Sequence, residues 1–69
     1  MISQEEKNKL IQLIKDSDKD TFCPDNISMT GHGTDVFTLA TCVAWDLDGI
    51  NGHDWQWDKE EVIEAIQEQ

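Results

Sequence analysis

The chain has no arginine, and Lys59 is the only lysine after Lys19. Direct binding to a nucleic-acid backbone needs Lys and Arg facing phosphates, so this class is disfavoured. An anionic membrane surface is disfavoured for the same reason. No apolar run approaches the length of a membrane span. Met1-Ile2-Ser3-Gln4-Glu5-Glu6 does not read as basic then apolar, so no signal peptide is expected and a cytoplasmic protein is. There are only two cysteines, Cys23 and Cys42, and free thiols fit that compartment.

Catalytic signatures are also missing. There is no Gly-x-Ser-x-Gly elbow and no phosphate-cradling loop. A pair of Cys23 with His32 or His53 would need an orienting group and an oxyanion site to act as a nucleophile. Carboxylates are abundant, but abundance is composition rather than an acid–base pair. The expectation is a protein that is not an enzyme and carries no cofactor.

What is present is acid. The 69 residues carry a net charge of −10. Residues 1–19 balance Glu5, Glu6, Asp16 and Asp18 against Lys7, Lys9, Lys15 and Lys19. The remaining residues hold eleven acids against Lys59 alone, so the whole excess belongs to the last fifty. Acidity favours solubility, but self-repulsion costs stability in a small domain. A basic protein surface would be attracted and steered in. One domain, residues 1–69, is all this length allows. Its core is modest, so a disulfide, a metal or a second copy in a homodimer would each be a useful staple.

Two helices are legible. Ser3 and Glu6 form a capping box ahead of Leu10, Ile11 and Ile14, and Glu5–Lys9 is a favourable i,i+4 pair. The helix should stop near Asp16, where Asp-Ser-Asp-Lys-Asp offers competing acceptors. At the other end, Asp58 and Glu61 form a second box, and Trp57 and Val62 a hydrophobic staple. Val62, Ile63 and Ile66 are the buried stripe, with Glu60, Glu64 and Glu68 on another face.

The middle is ambiguous. Ile27 and Met29 alternate as a short strand would, beside the turn signals Pro24 and Gly31-His32-Gly33. Residues 36–47 read as a strand with Phe37, Leu39, Thr41, Val43, Trp45 and Leu47 on one face. As a helix, they place Val36, Ala40, Val43, Ala44 and Leu47 on one stripe. Half of the twelve positions are β-branched or aromatic, which favours the strand. Gly49-Ile50-Asn51-Gly52 reads as a turn, and His53 to Trp57 as a final strand. The expected fold is α+β: an N-terminal helix, a three-stranded antiparallel meander and a C-terminal helix.

Metal-like clusters fall short of known patterns. Asp16-x-Asp18-x-Asp20 starts like an EF-hand loop but has Thr21 where Gly is required and Ile27 where Glu is required. A nonstandard cation site at Asp46, Asp48, Asn51 and Asp54 competes with a plain polar turn. Cys23, His32, Cys42 and His53 supply zinc-type ligands, but with spacers of eight, nine and ten residues no two form a close knuckle.

Three tryptophans are many for this length. Trp57 is explained by the staple and Trp45 by the strand's apolar face, which leaves Trp55 as the expected exposed anchor. With Asp46, Asp48, Asp54, Asp58, Glu60, Glu61 and Glu64 it forms the expected partner-binding set. In size, acidity and lack of catalytic signature the chain resembles small phage-encoded inhibitors, among them anti-CRISPR proteins and other DNA mimics. That resemblance is compositional and transfers no functional residue. The expected function is an inhibitor that blocks a basic nucleic-acid-binding surface of a larger protein. The alternatives are a small zinc- or calcium-binding module, and an acidic adaptor or dimeric interaction protein without mimicry.

Overall fold

The middle of the chain is helical. The computed structural model describes residues 2–69 as four helices in order: α1 (Gln4–Asp16), α2 (Pro24–Gly31), α3 (Phe37–Asn51) and α4 (Lys59–Gln67). Two two-residue strands, β1 (Thr21–Phe22) and β2 (Trp57–Asp58), pair antiparallel as Thr21 with Asp58 and Phe22 with Trp57. The expected three-stranded meander is therefore corrected to a mostly helical fold with a minimal sheet.

Residues 36–47 are helix because burial outweighs β-propensity. The buried residues of α3 are Leu39, Ala40, Val43, Ala44 and Leu47, a single stripe at 3.6 spacing. α1, α2 and α4 cover that stripe. Helix stability in proteins comes mostly from packing of such a stripe, whereas strand propensity is itself largely a packing effect. α3 also runs on through Gly49, Ile50 and Asn51, which were expected in a turn, and stops at Gly52. Gly52 sits at φ 86°, and its N–H donates to the Asp48 carbonyl at 2.8 Å. With ψ at 167°, this is an extended, positive-φ backbone that glycine alone adopts freely, and it ends the helix at Gly52.

Ile27 and Met29 are likewise helical. Pro24 opens α2 at its first turn, where a missing N–H costs nothing. Ile27 is fully buried and Met29 is exposed, as two residues two apart on a helix must be. α2 crosses α3 closely: a methyl group added at Gly31 would meet the Ala40 Cβ at 2.6 Å. Of the expected last strand, only Trp57 enters the sheet.

α4 starts with its full expected capping box, whereas α1 starts at the expected place with only the Ser3 half of its box. The Ser3 hydroxyl accepts from the Glu6 N–H at 3.1 Å, and α1 ends at Asp16. Asp58 and Glu61 form a reciprocal capping box at 2.8 and 3.1 Å. Trp57 and Val62 are both buried. Lys9 does not stay on its own helix with Glu5. It reaches Asp35 at 2.8 Å instead.

α1 and α4 lie antiparallel and cap each other. Lys59, at the start of α4, donates to the Lys15 and Ser17 carbonyls at 3.0 and 2.7 Å. Lys7, early in α1, donates to the Gln67 carbonyl at 3.1 Å. Each lysine thus satisfies orphan carbonyls at a partner helix's negative end.

Candidate functional site: an acidic groove between two helices

The C-terminal half of α3 and the outer face of α4 border a groove of about 200 Å³. Its floor is Leu47, Ile50, Trp57 and Ala65, and Glu61, Glu64 and Glu68 line it on the α4 side. At i, i+3 and i+7 these glutamates fall on one helix face, which is why a single helix supplies the whole acidic wall. A hydrogen bond of 2.6 Å from the Gln69 side chain to Asp46 ties the end of the chain to α3.

This brings together only part of the expected partner-binding set. Glu61 and Glu64 line the groove, and Glu60 is exposed one position before Glu61. Asp46 is an exposed residue of α3 one turn before Ile50. Asp48 is not on that side, because two residues along a helix is a rotation of about 200°. It is instead the i+3 neighbour of Trp45. Asp54, Trp55 and Asp58 lie in and just after the segment joining α3 to α4, and all are exposed. Glu68 was not in the set, although its place at i+4 from Glu64 was a usable signal.

The charge of this side is unrelieved. Among the described residues, none of Asp46, Asp48, Asp58, Glu60, Glu61, Glu64 and Glu68 is paired with a lysine. The single lysine of that half, Lys59, is turned away to cap α1. α3 carries Asp48 in its last turns, with no acid in its first turn and no base in its last. This opposes the helix dipole, which favours anions at N-termini and cations at C-termini.

The exposed apolar residues on α3 and beyond it also differ from expectation. Trp45, expected in the core, is 72% exposed, the largest exposure of any bulky apolar side chain among the described residues. Ile50 is 67% and Trp55 53% exposed. Trp45 stands on α3's solvent face between Thr41 and Gly49, where no larger side chain hides it. The sequence signal for this was the helical alternative for residues 36–47, whose stripe leaves Trp45 outside.

The metal-type residues are dispersed. Cys23 caps α2 at its start and His32 at its end, where His32 packs edge-on against Phe37 at 5.4 Å. Cys42 is half-buried within α3, and His53 is exposed beyond it, 3.6 Å from Asp54. Among the described residues no three His, Cys, Asp or Glu side chains converge enough to hold a metal ion. Neither Asp46, Asp48 and Asp54 nor Cys23, His32, Cys42 and His53 are brought together in that way. No helix among the described residues is long and apolar enough to cross a membrane.

Compared with known proteins, the chain matches no family model, no curated protein and no solved structure.

Proposed function

We propose that the protein is a small inhibitor that occupies a basic, nucleic-acid-binding surface of a larger protein. The observation that carries this reading is the unneutralised acid along α4 and its flanks, with Lys59 engaged instead by carbonyls at the end of α1. A row of carboxylates without counter-cations offers a partner's lysines and arginines what a phosphate backbone offers them. Competition by charge gives fast association, and an apolar anchor gives residence. Trp45 and Ile50 suit that second role, since each is large, exposed and carried on a helix.

The test is capture from a bacterial lysate with the tagged protein, washed at low and high salt, followed by a nucleic-acid competition assay on the captured partner. The expected result is a nucleic-acid-binding protein, released by salt and displaced from its nucleic acid by this chain. Replacing Asp54, Glu60, Glu61 and Glu64 with their amides should slow association and leave the fold intact. Unchanged binding by that variant would falsify the reading.

The exposure of Trp45 favours one second reading, an acidic adaptor that joins its partner through the α3 solvent face. There, Trp45→Ala would abolish binding and salt would leave it nearly unchanged.

A further inference from the structure

A groove of about 200 Å³ is smaller than the usual ligand pocket of roughly 300–1,000 Å³. It suits one long side chain. Its chemistry is divided in the same way as that of a long cationic residue: an apolar floor for an aliphatic stem and carboxylates for a charged head. The occupant is not a second copy of this chain. A second copy brings its own charge of −10 and no arginine.

We infer that the groove between α3 and α4 receives an arginine side chain from the partner's basic surface, a step that rests on the reading above. Leu47, Ile50 and Ala65 cover the stem, and Glu64 with Glu68 or Glu61 takes the guanidinium. Arginine is favoured over lysine because its planar fork pairs bidentately with carboxylates and is more weakly hydrated. Glu61 already accepts from the Asp58 N–H through Oε1, so one of its oxygens is engaged in the helix cap. Glu64 and Glu68 have no hydrogen-bond partner of their own among the described side-chain contacts. Trp57 also lines the groove, is 8% exposed, and its indole N–H is buried without an acceptor, a costly arrangement for a polar group at the base of a groove.

The experiment needs no partner protein. The ¹⁵N-labelled chain is titrated at low salt with acetyl-Arg-Arg-Arg-amide, and with the lysine and norleucine peptides of the same length. The arginine peptide should give saturable shifts centred on Ile50, Glu61, Glu64, Ala65, Glu68 and the Trp57 indole N–H. The lysine peptide should act at the same residues more weakly, and the uncharged norleucine peptide should not act there. Glu64→Gln with Glu68→Gln should weaken the arginine peptide by roughly tenfold, the loss of about one charge-assisted hydrogen bond. Ile50→Ser, at an exposed site, should also weaken it while the spectrum stays folded. Shifts spread evenly over Asp16–Asp20 and the other acids would overturn the inference. So would equal effects of the three peptides, or binding indifferent to the Glu64/Glu68 pair. Salt-sensitive capture of a basic partner alongside any of those results would discard the arginine slot and keep the inhibitor reading. Groove binding of the peptide with no basic partner captured would do the reverse.

Discussion

Two surface grooves among the described residues both have apolar floors but differ in charge, one balanced and one acidic. One, of about 330 Å³, runs between α1 and the turn before α3, lined by Lys9, Gln12, Leu13, Thr34, Asp35 and Val36. Its carboxylate, Asp35, is answered by Lys9 at 2.8 Å, so the groove carries its own counter-ion. The other lies between α3 and α4, and its three glutamates have no lysine beside them. Both have apolar floors, so apolar area does not distinguish them. The difference lies in where the lysines are spent. Lys7, Lys9 and Lys59 all act on α1 or at its contacts, whereas the α3–α4 side receives none. A domain selected for stability alone would spread its cations over both sides. The asymmetry leaves the α3–α4 groove without a counter-charge of its own.

The strongest way to break this comparison is at the floor. Trp57→Ala should cost about 3–5 kcal/mol, as truncation of a buried aromatic does. That is most of the stability expected of so small a domain. Trp45→Ala, at a side chain 72% exposed, should stay within about 0.5 kcal/mol. Urea unfolding followed by circular dichroism measures both. A large loss at Trp45 would mean that α3's outer face is packed and not free to bind.

Next in size is Lys59→Met, which keeps the stem and removes the charge. Hydrogen bonds from charged donors contribute about 1.5–3 kcal/mol, and two carbonyls of α1 depend on this one. The loss should approach the lower figure because one of the bonds is exposed. Partner binding through the acidic side should not weaken, since Lys59 does not neutralise that side. Tighter binding without loss of stability would show that Lys59 screens the acids and is no cap.

The two helix starts and the location of the acid were legible because they rest on local rules. Ser3 with Glu6, and Asp58 with Glu61, specify α1 and α4 within four residues each, and net charge is a sum that no fold alters. Residues 36–47 were misread because β-branched and aromatic content was given more weight than length. Twelve residues without a glycine or proline exceed the usual strand, and Ala40 and Ala44 make a helical stripe close enough for Gly31 to pack against. That error carried the site with it. A strand placed Trp45 inside and paired Asp46 with the wrong face. The groove between α3 and α4 was lost with that misreading, since it needs α3 to be a helix through Ile50. The lysine caps were out of reach in a different way: they depend on α1 and α4 lying antiparallel, a relation between segments more than forty residues apart.

The smallest effects give the sharpest comparison, because the same chemical change should have opposite signs in the two grooves. Asp35 is held below the ordinary carboxylate range by the Lys9 hydrogen bond first and its charge second. Lys9 is raised by the same bond and charge. The sign for Asp35 follows from its lowered folded-state value. Its contribution to stability is present above the ordinary carboxylate range and is lost as pH falls through that lowered value. The Lys9 contribution is present at neutral pH and lost only in strong alkali, as pH rises through its raised value. Asp35→Asn should therefore destabilise slightly at neutral pH and flatten the acid limb of stability against pH. Glu64→Gln should do the reverse at neutral pH. Glu64 has Glu60, Glu61 and Glu68 at helical neighbour spacing and stands near a helix C-terminus, so removing its charge should stabilise by a few tenths of a kcal/mol. Both effects should fade together at high salt, since both groups are exposed. Urea melts of the two variants at low and high ionic strength read the signs directly. If Glu64→Gln destabilises like Asp35→Asn, then α4's acids are locally satisfied, and the groove has no unmet charge to offer a partner.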